Sequence, residues 1–458
     1  MLPQRQLLRF AAPLRPRKLL VPITPSACRY SIAGLPATPA PESKTFSTPL
    51  AKQLTEAIKT TGPIPLAAYM RQCLTSSSGG YYTTHADPFG RRGDFITSPE
   101  ISQLFGEMLG VWLVTEWMAQ GRPKSGVDLI ELGPGRGTLM DDVLRTISSF
   151  RALTTAIESI HLVEASPTLR QTQASLLCGP STELSELPSG VFTAVSKHAN
   201  IPVHWHSSLS TVPAGPSRTP FILAHEFFDA LPIHAFESTA QGWRELLVSP
   251  APPTAKPLVI GGAAPEFALT RATQPTPHAL LLPELSQRYR ALKKSAGSII
   301  EVSPESLTVV EDIAKRIGAG SSGAALIVDY GPLDTVPVNS LRGIRAHRIV
   351  SPFERPGEVD VSADVDFHAL AERALVASER VEVHGPVEQG AFLLTMGMRE
   401  RMEQLGKKMN DEEKKRMDTG FNRLVERGPG TMGKIYKVLA IVPERGGKRP
   451  VGFGGMAA

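Results

Sequence analysis

The 458-residue sequence predicts an α/β fold built on a seven-stranded parallel sheet, with a helical segment ahead of it and two large insertions within it. Three observations predict this. From Val127 onward, short apolar runs alternate with stretches of helical period, as a sheet covered on both faces requires. The runs number seven: Leu129–Leu132, Ile160–Glu164, Val203–His206, Phe221–Glu226, Ala325–Tyr330, Val381–His384 and Ile435–Ile441. The first run enters Gly133-Pro134-Gly135-Arg136-Gly137-Thr138, and a helical pattern follows at once. A strand, a glycine turn and a helix form a ligand cradle at the carboxyl edge of a parallel sheet.

The elements follow in order. Residues 1–30 hold six basic residues and no acid, with Leu7, Leu8 and Phe10 between the charges. That is the composition of a mitochondrial transit peptide rather than a secretory signal. The formal net charge of +5 resides there: the remaining residues carry 43 basic against 44 acidic groups. No global charge argument therefore favours a nucleic-acid partner. Residues 31–48 are rich in Pro, Ala, Ser and Thr and read as a linker.

Residues 49–126 read as an N-terminal helical, lid-like segment. Leu50, Leu54 and Ile58 have helical spacing, Gly62-Pro63 interrupts, and Leu66, Tyr69, Met70 and Leu74 resume it. Ser98-Pro99-Glu100 starts a helix expected to run unbroken to about Ala119. Residues 127–445 form the sheet domain, with insertions at 232–320 and 332–366. Within the first insertion, Pro250–Pro277 is expected to be poorly ordered, while Leu280–Ala296 and Pro304–Gly318 look helical. Residues 398–426 read as one or two charged helices with a solvated face, and residues 446–458 as a disordered tail. Cys28, Cys73 and Cys178 make neither a disulfide framework nor a metal motif, and no apolar run is long enough to span a bilayer. The expected protein is a soluble one of the mitochondrial matrix.

The glycine spacing is G-x-G-x-G, not the G-x-G-x-x-G of dinucleotide folds, and Glu131 precedes the first glycine by two residues. A carboxylate there would repel a pyrophosphate and attract an ammonium or a sulfonium. S-adenosylmethionine (SAM) carries both cations and no phosphate. Glu131, Gly133, Pro134, Gly135, Gly137 and Thr138 are thus candidates to cradle it. Glu164, ending the second strand, is placed for the ribose hydroxyls. His206, ending the third, is a candidate for the adenine side. The fourth strand delivers Ala224-His225-Glu226-Phe227-Phe228-Asp229 to the same edge. Two carboxylates with aromatic rings between them suit a cationic or amine methyl acceptor, because transfer needs alignment and exclusion of water. A guanidinium is the demanding acceptor, since it offers no free lone pair until a base relieves it of a proton. Glu226 and Asp229 are the candidate catalytic carboxylates. His204 and His206 share a strand face, but no partner with metal-site spacing accompanies them, so no metal is expected.

These blocks, with Gly93-Asp94-Phe95-Ile96-Thr97-Ser98-Pro99-Glu100, His161-Leu162-Val163-Glu164-Ala165, Val328-Asp329-Tyr330-Gly331 and Gly385-Pro386-Val387-Glu388-Gln389-Gly390, resemble the MidA-like mitochondrial complex I assembly methyltransferases. The likeness runs from about Pro49 to Pro443. It implies a Rossmann-like seven-stranded SAM-dependent methyltransferase fold and a protein arginine N-methyltransferase. The implied reaction is symmetric dimethylation of the core quinone-site subunit of complex I, in the matrix, during assembly. The paired-glutamate loop and the threonine-histidine-tryptophan motif of the better-known arginine methyltransferases are absent from the sequence. The acidic clamp would then come from Glu226, Asp229 and Asp94. Two other readings stay open at this stage: a SAM methyltransferase with another substrate, and a non-catalytic SAM-binding assembly chaperone.

Overall fold

The computed structural model describes residues 46–84, 94, 96–257 and 264–454. The predicted leader, nearly all of the predicted linker and part of the loop around Gly93 lie outside these residues. All seven predicted runs are strands of one sheet. They are β1 (Val127–Leu132), β2 (Ile157–Val163), β3 (Pro202–His206), β4 (Thr219–His225), β5 (Ala324–Tyr330), β6 (Val381–Glu388) and β7 (Tyr436–Pro443). Their spatial order is β6-β7-β5-β4-β1-β2-β3, with two short strands extending the β3 edge. Strands β1 to β5 are mutually parallel, and β7 inserts antiparallel between β5 and β6. Dinucleotide-binding sheets run 3-2-1-4-5-6; the inserted antiparallel β7 sets this sheet apart from them. The order reverses between β1 and β4, which opens a crevice at their carboxyl ends.

Side chains alternate between the two faces, as strand geometry demands. On β1, Leu129 joins one buried cluster, while Ile130 and Leu132 join the other. The first cluster is closed by the helices Gln103–Ala119, Thr138–Ile147 and Pro167–Cys178, the second by Pro304–Ala319 and Phe367–Ala377. This double cover explains why the strands read as continuous apolar runs.

The helix predicted from Ser98 to Ala119 is in fact two. Ser98–Ile101 ends at Ser102, whose backbone is extended and whose side chain accepts from Leu104 N to cap Gln103–Ala119. A serine can serve either inside a helix or as its cap, and here capping wins.

The N-terminal segment divides by packing. Helices Pro49–Thr61 and Leu66–Thr75 leave the central sheet to Gln103–Ala119 and pack on the insertions, through Leu50, Leu54, Tyr69 and Met70 against Val248, Phe267 and Val361. The first insertion builds an antiparallel sheet from His234–Thr239, Gly242–Pro250, Phe267–Arg271 and Ile299–Val302, joined by Ile64–Pro65. The second contributes three strands, Arg342–Arg345, Arg348–Val350 and Asp360–Ser362.

Two expectations of disorder are corrected. Within Pro250–Pro277, Phe267–Arg271 pairs with Leu246–Pro250, and Phe267 is fully buried. The predicted tail from Gly446 is anchored as far as Gly454. Trp112 Nε1 donates to Val451 O at 3.2 Å, and Phe453 packs on Phe392 with ring centroids 5.6 Å apart. Both segments have loop-like composition, but each carries one aromatic that a nearby apolar surface buries. Residues 398–426 do form two helices, Met398–Gly406 and Asp411–Val425, and turn Met398, Phe421, Leu424 and Val425 inward.

Candidate active site

The crevice between β1 and β4 opens into a cavity of about 460 Å³. Its lining brings together Glu131, Gly133, Pro134, Gly135, Thr138, Glu164, Glu226 and Asp229, eight of the residues singled out from the sequence.

Gly133, Gly135 and Gly137 all hold φ between +54° and +85°. That region is cheap only for glycine. At Gly133 there is a second demand: a Cβ would stand 3.0 Å from the Phe227 ring. Gly137, which does not line the cavity, donates to Pro134 O at 2.8 Å and serves as the cap residue of Thr138–Ile147. The turn thus closes on itself and aims the start of that helix at the cavity.

Gln173, which the sequence reading missed, ties the floor together. Its Nε2 donates to Gly135 O at 2.7 Å and to Glu164 Oε2 at 3.1 Å, and its Oε1 accepts from Trp205 Nε1 at 2.9 Å. Ser166 N donates to Glu164 Oε1 at 2.7 Å. A helical glutamine far from any glycine motif gives no signal in sequence.

Glu131 is fully buried, and its Oε2 has no hydrogen-bond partner. An orphaned buried carboxylate oxygen is costly unless a ligand satisfies it. Burial, and then Glu164, pushes the Glu131 carboxyl up to about 8. Burial raises Glu164 to about 7 against the pull of Ser166 and Gln173. Two carboxyls strained in this way are a site awaiting positive charge. The residues fit SAM: a glycine-rich turn could take the amino-acid part, an orphaned acid its ammonium, and the acid just past β2 its ribose.

The other end of the cavity is acidic and phenolic. Glu226 directly follows β4 with φ +49°, a left-handed backbone unusual for glutamate and typical of functional strain. Its Oε1 accepts from Tyr436 OH at 2.7 Å. Burial raises it to about 8, Asp229 adds to the shift, and the Tyr436 hydroxyl opposes it. Asp229 is raised to about 6 by burial, opposed by the Arg342 guanidinium. The turn bearing both is held by Asp329, whose Oδ2 accepts the backbone N–H of Phe227, Phe228 and Asp229 at 3.1, 2.9 and 3.3 Å. His225 is buried and pushed down to about 3 by desolvation, hence neutral.

Two sequence expectations are revised. Asp94 does not line the cavity: its carboxylate accepts from Tyr81 OH at 2.6 Å and from Ala346 N at 2.7 Å, joining the loop to the second insertion. The acid found at that end is Asp360, which accepts from Tyr82 OH at 3.1 Å and is raised to about 7 by burial and then by Asp229. His206 lies behind the wall, with Nε2 3.0 Å from His161 Nδ1 and Nδ1 3.2 Å from Thr211 Oγ1, while Ser207, Ser208 and Leu209 face the cavity. The alternation of a strand turned the imidazole into the layer beneath. Tyr82, Tyr330 and Asp360 arrive from segments too remote for sequence spacing to associate them with Glu226.

A sheet with this order, a glycine cradle beside an orphaned acid and a second acidic end define a SAM-dependent methyltransferase. The comparisons agree. A family model of S-adenosyl-L-methionine-dependent methyltransferases matches residues 108–387. The crystal structure of a Burkholderia thailandensis protein with S-adenosyl-homocysteine bound shares the fold, with a TM-score of 0.65 at 23% identity over 93% of this chain and 97% of that one. Among curated proteins, "Protein arginine methyltransferase NDUFAF7, mitochondrial" of Xenopus laevis is 39% identical over 413 residues, covering 89% of this chain and 87% of the relative. The human protein of that name is 37% identical over 401 residues, 87% and 84% of the two chains. The Drosophila melanogaster homolog is 40% identical over 399 residues, 86% and 85%. The chain belongs to the NDUFAF7 family, and its cofactor is SAM.

Proposed function

We propose that this enzyme methylates an arginine side chain of a protein substrate in the mitochondrial matrix. The single observation that carries the reading is the acceptor end of the cavity, where the buried Asp229 and Asp360 meet the partly buried Glu226, Tyr82 and Tyr330. Three acids raised above their usual range at this end of the cavity favour a cationic acceptor over a neutral one. The names of relatives across nearly the whole chain give the same substrate class.

In this mechanism Glu131 and the glycine turn would hold the amino-acid part of SAM, and Glu164 would hold its ribose. SAM supplies an electrophilic methyl on its sulfonium. Glu226, ionised beside the cationic guanidinium, would accept its hydrogen bonds, localise its charge and take the proton released as the new N–C bond forms and the methyl–sulfur bond breaks, with S-adenosyl-homocysteine as the leaving group. Tyr436, donating to Glu226 Oε1, fixes that carboxylate. Asp229 and Asp360 complete the clamp, with Asp360 in the part that the sequence reading gave to Asp94. Tyr330 and Phe227 exclude water from the line of displacement.

The finer reading is symmetric dimethylation of the core quinone-site subunit of complex I during assembly. The MidA-like motifs support it. The test incubates the purified chain with that subunit and isotope-labelled SAM, then maps the product by mass spectrometry. Symmetric dimethylarginine is the expected product. Label on lysine, or on no protein residue, would overturn the reading. Glu226→Gln is expected to bind SAM normally and to lose transfer by roughly 100-fold or more, the scale of a general base; wild-type turnover in that variant would remove Glu226 from the mechanism.

A further inference from the structure

A second group of chemistry-bearing side chains converges away from the cavity, in the sheet of the first insertion. His234 opens the strand His234–Thr239, and Glu245 lies on the neighbouring strand Gly242–Pro250. Phe236 pairs with Glu245 across the two strands, so His234 sits diagonally from Glu245 on the same face. His278 comes from the helix Pro277–Leu281. His234 Nδ1 is 2.7 Å from Glu245 Oε1, and His278 Nδ1 is 3.4 Å from Glu245 Oε2. The two imidazole centroids are 4.2 Å apart, and one ligating atom from each of the three residues falls within 4.8 Å of the others.

Bonds of about 2.0–2.1 Å in a tetrahedral zinc site put ligand atoms roughly 3.3 Å apart. Small side-chain adjustments would bring these three atoms to that spacing. Two imidazoles and one carboxylate suit zinc, whereas magnesium and calcium prefer oxygen alone. The Thr276 hydroxyl donates to Glu245 and also accepts from Ala279 N at 3.1 Å, so one residue both orients the carboxylate and caps the helix. Such outer partners are the usual support of a metal site. The side chains of His234 and Glu245 are 8% and 1% exposed, and that of His278 is 45% exposed, which leaves the fourth position to water.

We propose that His234, Glu245 and His278 bind one zinc ion that ties the helix Pro277–Leu281 to the insertion sheet. His234 lies three residues beyond Leu231, which lines the reaction cavity, so the ion would also anchor the end of the Glu226–Leu231 turn. The site escaped the sequence reading because its third ligand lies 33 residues after the second and on a different element.

The test uses the full, untagged chain stripped with a chelator, then titrated with zinc by calorimetry and with cobalt by visible spectroscopy. One zinc per chain and a tetrahedral cobalt spectrum are expected, with a melting temperature raised by roughly 2–5 °C at a hundredfold excess over Kd. His278→Ala, at an exposed position, should keep the fold and SAM affinity while weakening zinc binding by about tenfold or more; Glu245→Gln should weaken it further. Absence of stoichiometric zinc binding, or equal zinc affinity in wild type and His278→Ala, would reduce the cluster to hydrogen bonding alone. None of these readouts depends on methyl transfer, so their failure is distinguishable from failure of the arginine reading.

Discussion

Glu131 concentrates the physics of the glycine-turn end of the cavity in one side chain. Its Oε2 is buried without a partner, and burial with Glu164 raises its carboxyl to about 8. The folded, ligand-free state prefers this group protonated. Its contribution to stability is complete below the ordinary carboxyl range and is lost as pH rises through about 8. Binding of a cation has the opposite sign, because it requires the ionised form. SAM affinity should therefore rise between pH 6 and 8, by up to about tenfold per unit, and level off above 8. Calorimetry across that range checks this, with proton release measured in buffers of different ionisation enthalpy. Glu131→Gln should bind SAM weakly and lose the slope. A wild-type affinity flat from pH 6 to 8 would mean that Glu131 does not meet the cation.

At the scale of elements, the decisive unit is the turn after β4, shaped by a residue of β5. Asp329 Oδ2 gathers three successive N–H groups of Phe227, Phe228 and Asp229, and its Oδ1 accepts from Tyr330 N at 2.8 Å. Neighbouring parallel strands thereby hold Glu226 in its left-handed conformation. Asp329 is thus expected to act as a positioning residue. Asp329→Ala is expected to cost roughly 3 kcal/mol of stability, since it strands several buried donors. It should lower kcat more than it weakens SAM binding. Asp329→Asn, which keeps one acceptor oxygen, should recover part of both. An alanine variant with normal kcat would show that the turn is shaped by other contacts.

At the scale of the molecule, no helix among the described residues is long and apolar enough to cross a membrane. The central sheet is covered partly by segments distant in sequence. The end of the chain is one of these: Phe453 lies in the cluster that holds Phe392, and Val451 O accepts from Trp112. Removing residues 446–458 should therefore destabilise the protein, not trim a neutral tail. Phe453→Ala alone is expected to cost about 3 kcal/mol, the usual loss for a buried phenylalanine. Denaturant unfolding measures this, and a change under 0.5 kcal/mol would place Phe453 outside the core in solution.

The sheet was legible from sequence because each strand buried on both faces must be apolar along its length, and the alternation with helices forces parallel pairing. The cradle was legible because its chemistry is local: three glycines in the left-handed region, with an acid two residues upstream, lie within one strand, turn and helix. The acceptor end was legible only as far as Glu226 and Asp229, which one strand delivers together. Tyr436, Asp329, Asp360 and Tyr82 join it through pairing and packing over more than a hundred residues, and no spacing rule spans that distance. Asp94 and His206 misled for the complementary reason. A polar residue in a suggestive block can spend its hydrogen bonds elsewhere, and only the folded contacts show where. Sequence alone thus determined the sheet, the glycine turn with its adjoining acid and one acidic turn, because these are set by local period and charge. Tertiary structure decided which acids share the cavity, how the insertions wall it and where Val451 and Phe453 pack, because each rests on burial between segments remote in sequence.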